Sequence, residues 1–204
     1  MGNDKSRGVR RQDLWSLGLE QWPQVAWGLL EQAATGTDHP FRCPALATSG
    51  ADGPQVRTVI LRTASAATRR LLFYTDARSP KVRELRQLTQ MAWMFYDPGQ
   101  RFQLRAWGAA SLHQDDELAE TCWETCSPAN LLNYRGRTVP GTALEATLSS
   151  LPPGALEDRL GRGNFLVVAC QVARMDALLL GPEFHRRLDM RWHEPSWVST
   201  WVNP

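Results

Sequence analysis

The stretch Arg70-Leu71-Leu72-Phe73-Tyr74-Thr75-Asp76-Ala77-Arg78-Ser79-Pro80-Lys81 decides the fold. Its first six residues read as a strand. Ser79-Pro80 then supplies a helix cap followed by a proline suited to the first helical turn. The helix should run to about Gln90, burying Val82, Leu85 and Leu88 and exposing Arg83, Glu84 and Arg86. A strand, a loop and a helix start in quick succession favour an anion such as phosphate at the joint, where backbone N–H groups, a hydroxyl and the helix dipole converge. Lys81 adds a full positive charge. Only Lys5 and Lys81 are lysines among 23 basic residues, so a site that needs an ammonium has almost one candidate.

Upstream, Cys43 to Thr48 and Gln55 to Thr63 flank Gly50-Ala51-Asp52-Gly53 and read as a β-hairpin. In its second strand Val56, Thr58, Ile60 and Arg62 share one face, and Arg57, Val59, Leu61 and Thr63 the other. Arginines there ask for an anion or a carboxylate. Downstream, Met91 to Tyr96 and Arg101 to His113 form an antiparallel pair with Gly108 as a bulge or bend, and Gln103 can offer a donor and an acceptor to a heteroaromatic edge. Asn164 to Val172, Met175 to Leu180, Phe184 to Trp192 and Val198 to Val202 continue the β pattern. Helices are peripheral: one or two over about 13–34, and an insertion over about 115–163 punctuated by Ser127-Pro128, Pro140-Gly141 and Pro152-Pro153-Gly154. These elements predict a mainly β, α+β barrel in a single domain spanning residues 1–204.

Composition narrows the function. The net charge of +2 comes from basic residues scattered along 204 positions, so no nucleic-acid surface is expected. No apolar run approaches the roughly 20 residues needed to cross a bilayer, and Met1 to Lys5 lacks an apolar leader, so a cytoplasmic protein without a membrane partner is expected. Cys43, Cys122, Cys126 and Cys170 lack paired spacing and read as thiols, with no metal site. Neither Walker glycines nor GxGxxG is present, which removes the main support for nucleotide triphosphates and Rossmann dinucleotides.

The ordered motifs Arg57-Thr58-Val59-Ile60-Leu61-Arg62, Phe73-Tyr74-Thr75-Asp76, Ser79-Pro80-Lys81, Gln103 and Gly108, followed by His185 to Trp192 and Trp201 to Pro204, resemble those of the pyridoxamine 5'-phosphate oxidase family. The resemblance implies an FMN-binding split β-barrel, a homodimer with the cofactor site at the subunit interface, and a small-molecule substrate. It places Arg57, Thr58, Val59, Ile60, Arg62, Tyr74 and Thr75 along the flavin and its ribityl phosphate. Ser79 and Lys81 would hold the phosphate, and Gln103 and Arg191 would contact the flavin. Arg187 matches a substrate-side arginine, and Arg62 would be a charge near the flavin, so these two are the catalytic candidates. The implied activity is flavin-dependent hydride transfer with oxygen as one acceptor; the alternative is a non-catalytic flavin carrier on the same barrel. The family's substrate-phosphate arginine and serine are not evident around Trp123 to Leu132, where Ser127-Pro128-Ala129-Asn130 stands, and Asp189 replaces a histidine.

Overall fold

The structure, a computed structural model, describes residues 11–143 and 158–204. Its strands are β1 (Ala45–Gly50), β2 (Gly53–Thr58), β3 (Thr63–Ser65), β4 (Arg70–Asp76), β5 (Gln90–Asp97), β6 (Phe102–His113), β7 (Phe165–Leu180), β8 (His185–His193) and β9 (Ser196–Val202). The helices are α1 (Arg11–Ser16), α2 (Trp22–Thr35), α3 (Pro80–Gln87), α4 (Glu117–Glu124), α5 (Pro128–Leu131) and α6 (Asp158–Asn164). All the strand pairings are antiparallel, in the order β2-β1-β5-β6-β7-β4-β3, with β8 and β9 continuing from β7. The sheet is open rather than closed, the architecture of a split barrel.

β7 makes the split. Its first half pairs with β4 and its second half with β8, while β6 follows its other edge. The register lines up Leu46, Trp93, Ala106, Met175 and Met190 across the inner face, where all five are buried. α2 closes this core with Trp22, Ala26, Trp27, Leu30 and Ala33, the 3.6-residue stripe of its sequence. A second cluster joins Leu72, Phe165, Val167 and Ala169 to Ala119 and Cys122 of α4 and to Tyr134. The outer face carries the rows Tyr96-Gln103-Leu178-Arg187, Met94-Arg105-Asp176-Asp189 and Ala92-Trp107-Arg174-Arg191.

The expected bulge is present. The β6–β7 register shifts between Trp107 and Gly108, and the unpaired residue is Ala173 on β7. A Cβ at Gly108 would lie 2.1 Å from the carbonyl oxygen of Gln171, closer than two atoms can pack.

Other boundaries differ from the sequence reading. β2 ends at Thr58 rather than Thr63, because the Val59 and Leu61 N–H groups donate to Pro44 O and Arg42 O, and Arg62 N–H donates to Leu72 O of β4. The chain leaves β1 and crosses to β4, with Val59 and Leu61 buried and Ile60 outside. α3 stops at Gln87 because Gln90 already belongs to β5. In the insertion, Pro152-Pro153-Gly154 lies outside the described residues. Among the described residues no helix is long and apolar enough to cross a membrane, no three potential ligands gather for a metal, and all four cysteines are free.

Replacing Gly108 with alanine forces β7 away from β6. The expected cost is about 2 kcal/mol, which lowers Tm by roughly 4–8 °C in a thermal melt.

Candidate functional site

The predicted residues fall into three groups. The first lies at the β4–α3 joint. The loop turns Thr75, Ser79 and Lys81 toward one another: Lys81 Nζ donates to Thr75 Oγ1 at 3.1 Å and to Ser79 Oγ at 3.2 Å, and the two hydroxyls are 3.2 Å apart. Ser79 occupies the cap position of α3, but its hydroxyl makes no cap bond. It faces the lysine instead. Burial, then the Arg57 guanidinium, lower the Lys81 ammonium below the ordinary lysine range, outweighing Glu84 and Asp76. No carboxylate pairs with Lys81 among the described residues.

Arg57 has found the carboxylate that its strand position demanded. Its Nη2 lies 2.9 Å from Glu84 Oε2, and both side chains share Thr48 Oγ1. Glu84 was expected on the exposed side of α3, but its side chain is only 12% exposed. Thr58 and Ile60 point outward and Val59 into the core.

The second group, Arg62 and Tyr74, lies on the opposite face of β4, because Tyr74 and Thr75 alternate. The Arg62 guanidinium sits 5.4 Å from the Tyr74 ring centre, and its Nε is buried with no hydrogen-bond partner. Both line a polar cavity of about 350 Å³ with Arg42, Cys126, Ser127 and Asn130. Arg42 is committed to the carbonyls of Ala33, Ala34 and Leu61. The cavity lining therefore holds two guanidiniums and no carboxylate. Burial and a hydrogen bond with Cys122 push the Tyr74 phenol above its ordinary value, so it remains a neutral donor. A larger cleft of about 430 Å³, between the β1–β2 turn and α3, holds none of the predicted residues.

The third group occupies the outer face. Gln103, Leu178 and Arg187 are direct neighbours across β6, β7 and β8. Arg187 Nε lies 2.9 Å from Asp176 Oδ2, while the other oxygen of this buried carboxylate meets Arg105 at 3.0 Å. Asp189 bridges Arg174 and Arg191 in the same way, and Trp107 receives the guanidiniums of Arg105 and Arg174 at 5.0 and 4.7 Å. Sequence reading found Arg187 and Arg191 but not Arg105, Arg174 or Asp176, the last of which signalled itself only as a charge inside an apolar strand.

The first and third groups attach to opposite ends of β7. Thr75 pairs with Leu166 and Arg187 with Leu178, twelve residues apart on β7. That is about 40 Å along the strand at roughly 3.3 Å per residue.

Burial opposes ionisation of Asp189, but hydrogen bonds and charge from Arg174 and Arg191 hold its carboxyl below the usual range. A depressed carboxyl contributes stability above the unfolded value, about pH 3.9, and loses it as pH falls through the folded value. Asp189→Asn should therefore lose less Tm than the wild-type protein between about pH 5 and pH 3, measured by thermal melts across that range.

Residues 20–114 match the family described as pyridoxamine 5'-phosphate oxidase, FMN-binding domain. A pyridoxamine 5'-phosphate oxidase-related, FMN binding protein from Nostoc punctiforme is 25% identical, with a TM-score of 0.71 over 93% of this chain and 99% of that one. PhzG from Burkholderia lata, solved with tetrahydrophenazine-1-carboxylic acid, shares the fold at 17% identity and a TM-score of 0.66, over 93% of this chain and 95% of its own. No curated protein matches the sequence significantly. Residues 20–114, the stretch that matches this FMN-binding domain, contain the first two groups and Gln103, and the β7–β8 face completes the fold that the chain shares with these proteins.

Proposed function

We propose that the protein is an FMN-dependent oxidoreductase that works as a homodimer. The observation that carries this reading is the joint of Thr75, Ser79 and Lys81, where a half-buried ammonium and two hydroxyls converge and, among the described residues, no carboxylate pairs with the ammonium. Its donor set fits the phosphate of FMN, and an incoming dianion would offset the desolvation that lowers Lys81. Bound there, FMN would supply a two-electron centre that accepts a hydride equivalent from an amine, alcohol or reduced cofactor, with oxygen as one onward acceptor.

The third group lies beyond the reach of a mononucleotide held at that joint, so Gln103, Arg187 and Arg191 would serve the flavin of a second copy. Apolar exposure on the outer surface supports this: Val56, Ile60, Met94 and Tyr96 are between 41% and 68% exposed. The unpartnered Arg62 Nε, aided by Tyr74, Ser127 and Asn130, would hold an anionic group of a small substrate and orient it toward the ring.

The commitment of Arg187 to Asp176 favours a second reading, a flavin carrier without substrate turnover. The two separate on one experiment. Purified protein loaded with FMN should show flavin absorption bands that bleach anaerobically with an oxidoreductase substrate, beginning with pyridoxamine and pyridoxine phosphates and reduced nicotinamides. A carrier keeps its bands with every donor.

Lys81→Met should weaken FMN binding roughly ten- to a hundredfold by fluorescence titration, the size of one charge-assisted hydrogen-bond set. Sedimentation should give twice the chain mass. A protein that takes up no FMN overturns the proposal.

A further inference from the structure

At the end of β6, in the row His113-Val167-Tyr74 but one strand removed from Tyr74, three side chains form a hydrogen-bonded chain. Ser111 Oγ lies 2.8 Å from His113 Nε2, and His113 Nδ1 lies 2.6 Å from Asp116 Oδ2. Strand alternation places Ser111 and His113 on one face, and the turn into α4 brings Asp116 back beneath the imidazole. We infer that Ser111, His113 and Asp116 constitute a second, hydrolytic site for small carboxylic esters, with Ser111 as nucleophile, His113 as base and Asp116 as the positioning residue.

The protonation pattern follows from the partners. The Asp116 carboxyl is held below its ordinary range: burial opposes ionisation, but the Ala119 N–H, His113 and the Leu118 N–H outweigh it. An ionised carboxylate only accepts, so His113 Nδ1–H donates to it, and in the neutral ring Nε2 is then the acceptor that faces the serine. The Ser111 hydroxyl has one other acceptor, Ala169 O at 3.3 Å, farther than the imidazole. Asp116 is itself fixed, because its second oxygen accepts from Ala119 N–H at 3.0 Å as the N-cap of α4. The carboxylate thus orients the ring from a rigid helix end.

In the reaction, Ser111 Oγ attacks the ester carbonyl carbon as its proton passes to His113 Nε2. The carbon–oxygen bond to the alcohol breaks, and the leaving oxygen takes that proton from the imidazolium. Water, activated by the same nitrogen, then adds to the acyl group and releases the carboxylic acid, restoring the serine. Ser111 is exposed, and the His113 and Asp116 side chains are 22% and 48% exposed. An open site of this kind suits compact esters with good leaving groups, which ask least of their surroundings at the carbonyl oxygen.

The test is incubation of the full chain with p-nitrophenyl acetate, followed by peptide mass spectrometry and p-nitrophenolate release. The expected result is acetyl on Ser111 and turnover that falls roughly a hundredfold in Ser111→Ala and His113→Gln. Asp116→Asn separates positioning from structure, because asparagine still caps α4 but cannot stabilise an imidazolium. Its turnover should fall roughly tenfold or more with Tm unchanged. Absence of acetylation, acetyl on another residue, or Ser111→Ala turnover equal to wild type overturns the inference. Each result is read on Ser111 and the released p-nitrophenolate and so stands apart from whether FMN is bound.

Discussion

A sixteen-residue strand that must satisfy different neighbours along its length constrains everything else in this molecule. β7 gives its first half to β4 and its second to β8. Because β4 leads straight into α3, the first half fixes the joint where Thr75, Ser79 and Lys81 gather. The second half holds up the outer face with its alternating arginines and aspartates. The same element therefore sets the spacing between the two groups.

Charge follows this division. At the joint, a partly desolvated ammonium meets two hydroxyls, while the adjacent Arg57 is quenched by Glu84. On the outer face each carboxylate serves two guanidiniums, leaving a cationic surplus shared over Arg105, Arg174, Arg187 and Arg191. Pairing costs these arginines little conformational freedom once the strands are in register, and it prevents four like charges from repelling one another during folding. Such a face is ordered before any ligand arrives.

Much of this was legible in the sequence, and the rest failed for identifiable reasons. The hairpins, Gly108 and the Ser79-Pro80 helix start are local signals, and each appears within a few residues of its expected place. The end of β2 was not legible, because its hydrogen bonds to Pro44, Arg42 and Leu72 depend on chain crossing in space. The pairings of Glu84, Asp176 and Asp189 were not legible for the same reason: their partners lie across strands or on another element. The trio of Ser111, His113 and Asp116 is close in sequence yet went unnoticed, since a serine, a histidine and an aspartate at such spacing are ordinary until a turn aligns their atoms.

The register shift at Ala173 has a consequence for what β7 can bury. Before it, Leu166, Val168, Cys170 and Val172 face the main core; after it, Met175, Ala177 and Leu179 do. The inward positions change from even to odd numbers, so one inserted residue resets the phase of the strand. Without that reset, Arg174, Asp176 and Leu178 would turn into the apolar interior and Met175 and Leu179 into the open. A single unpaired alanine thus decides which half of the strand's chemistry is available to the outside.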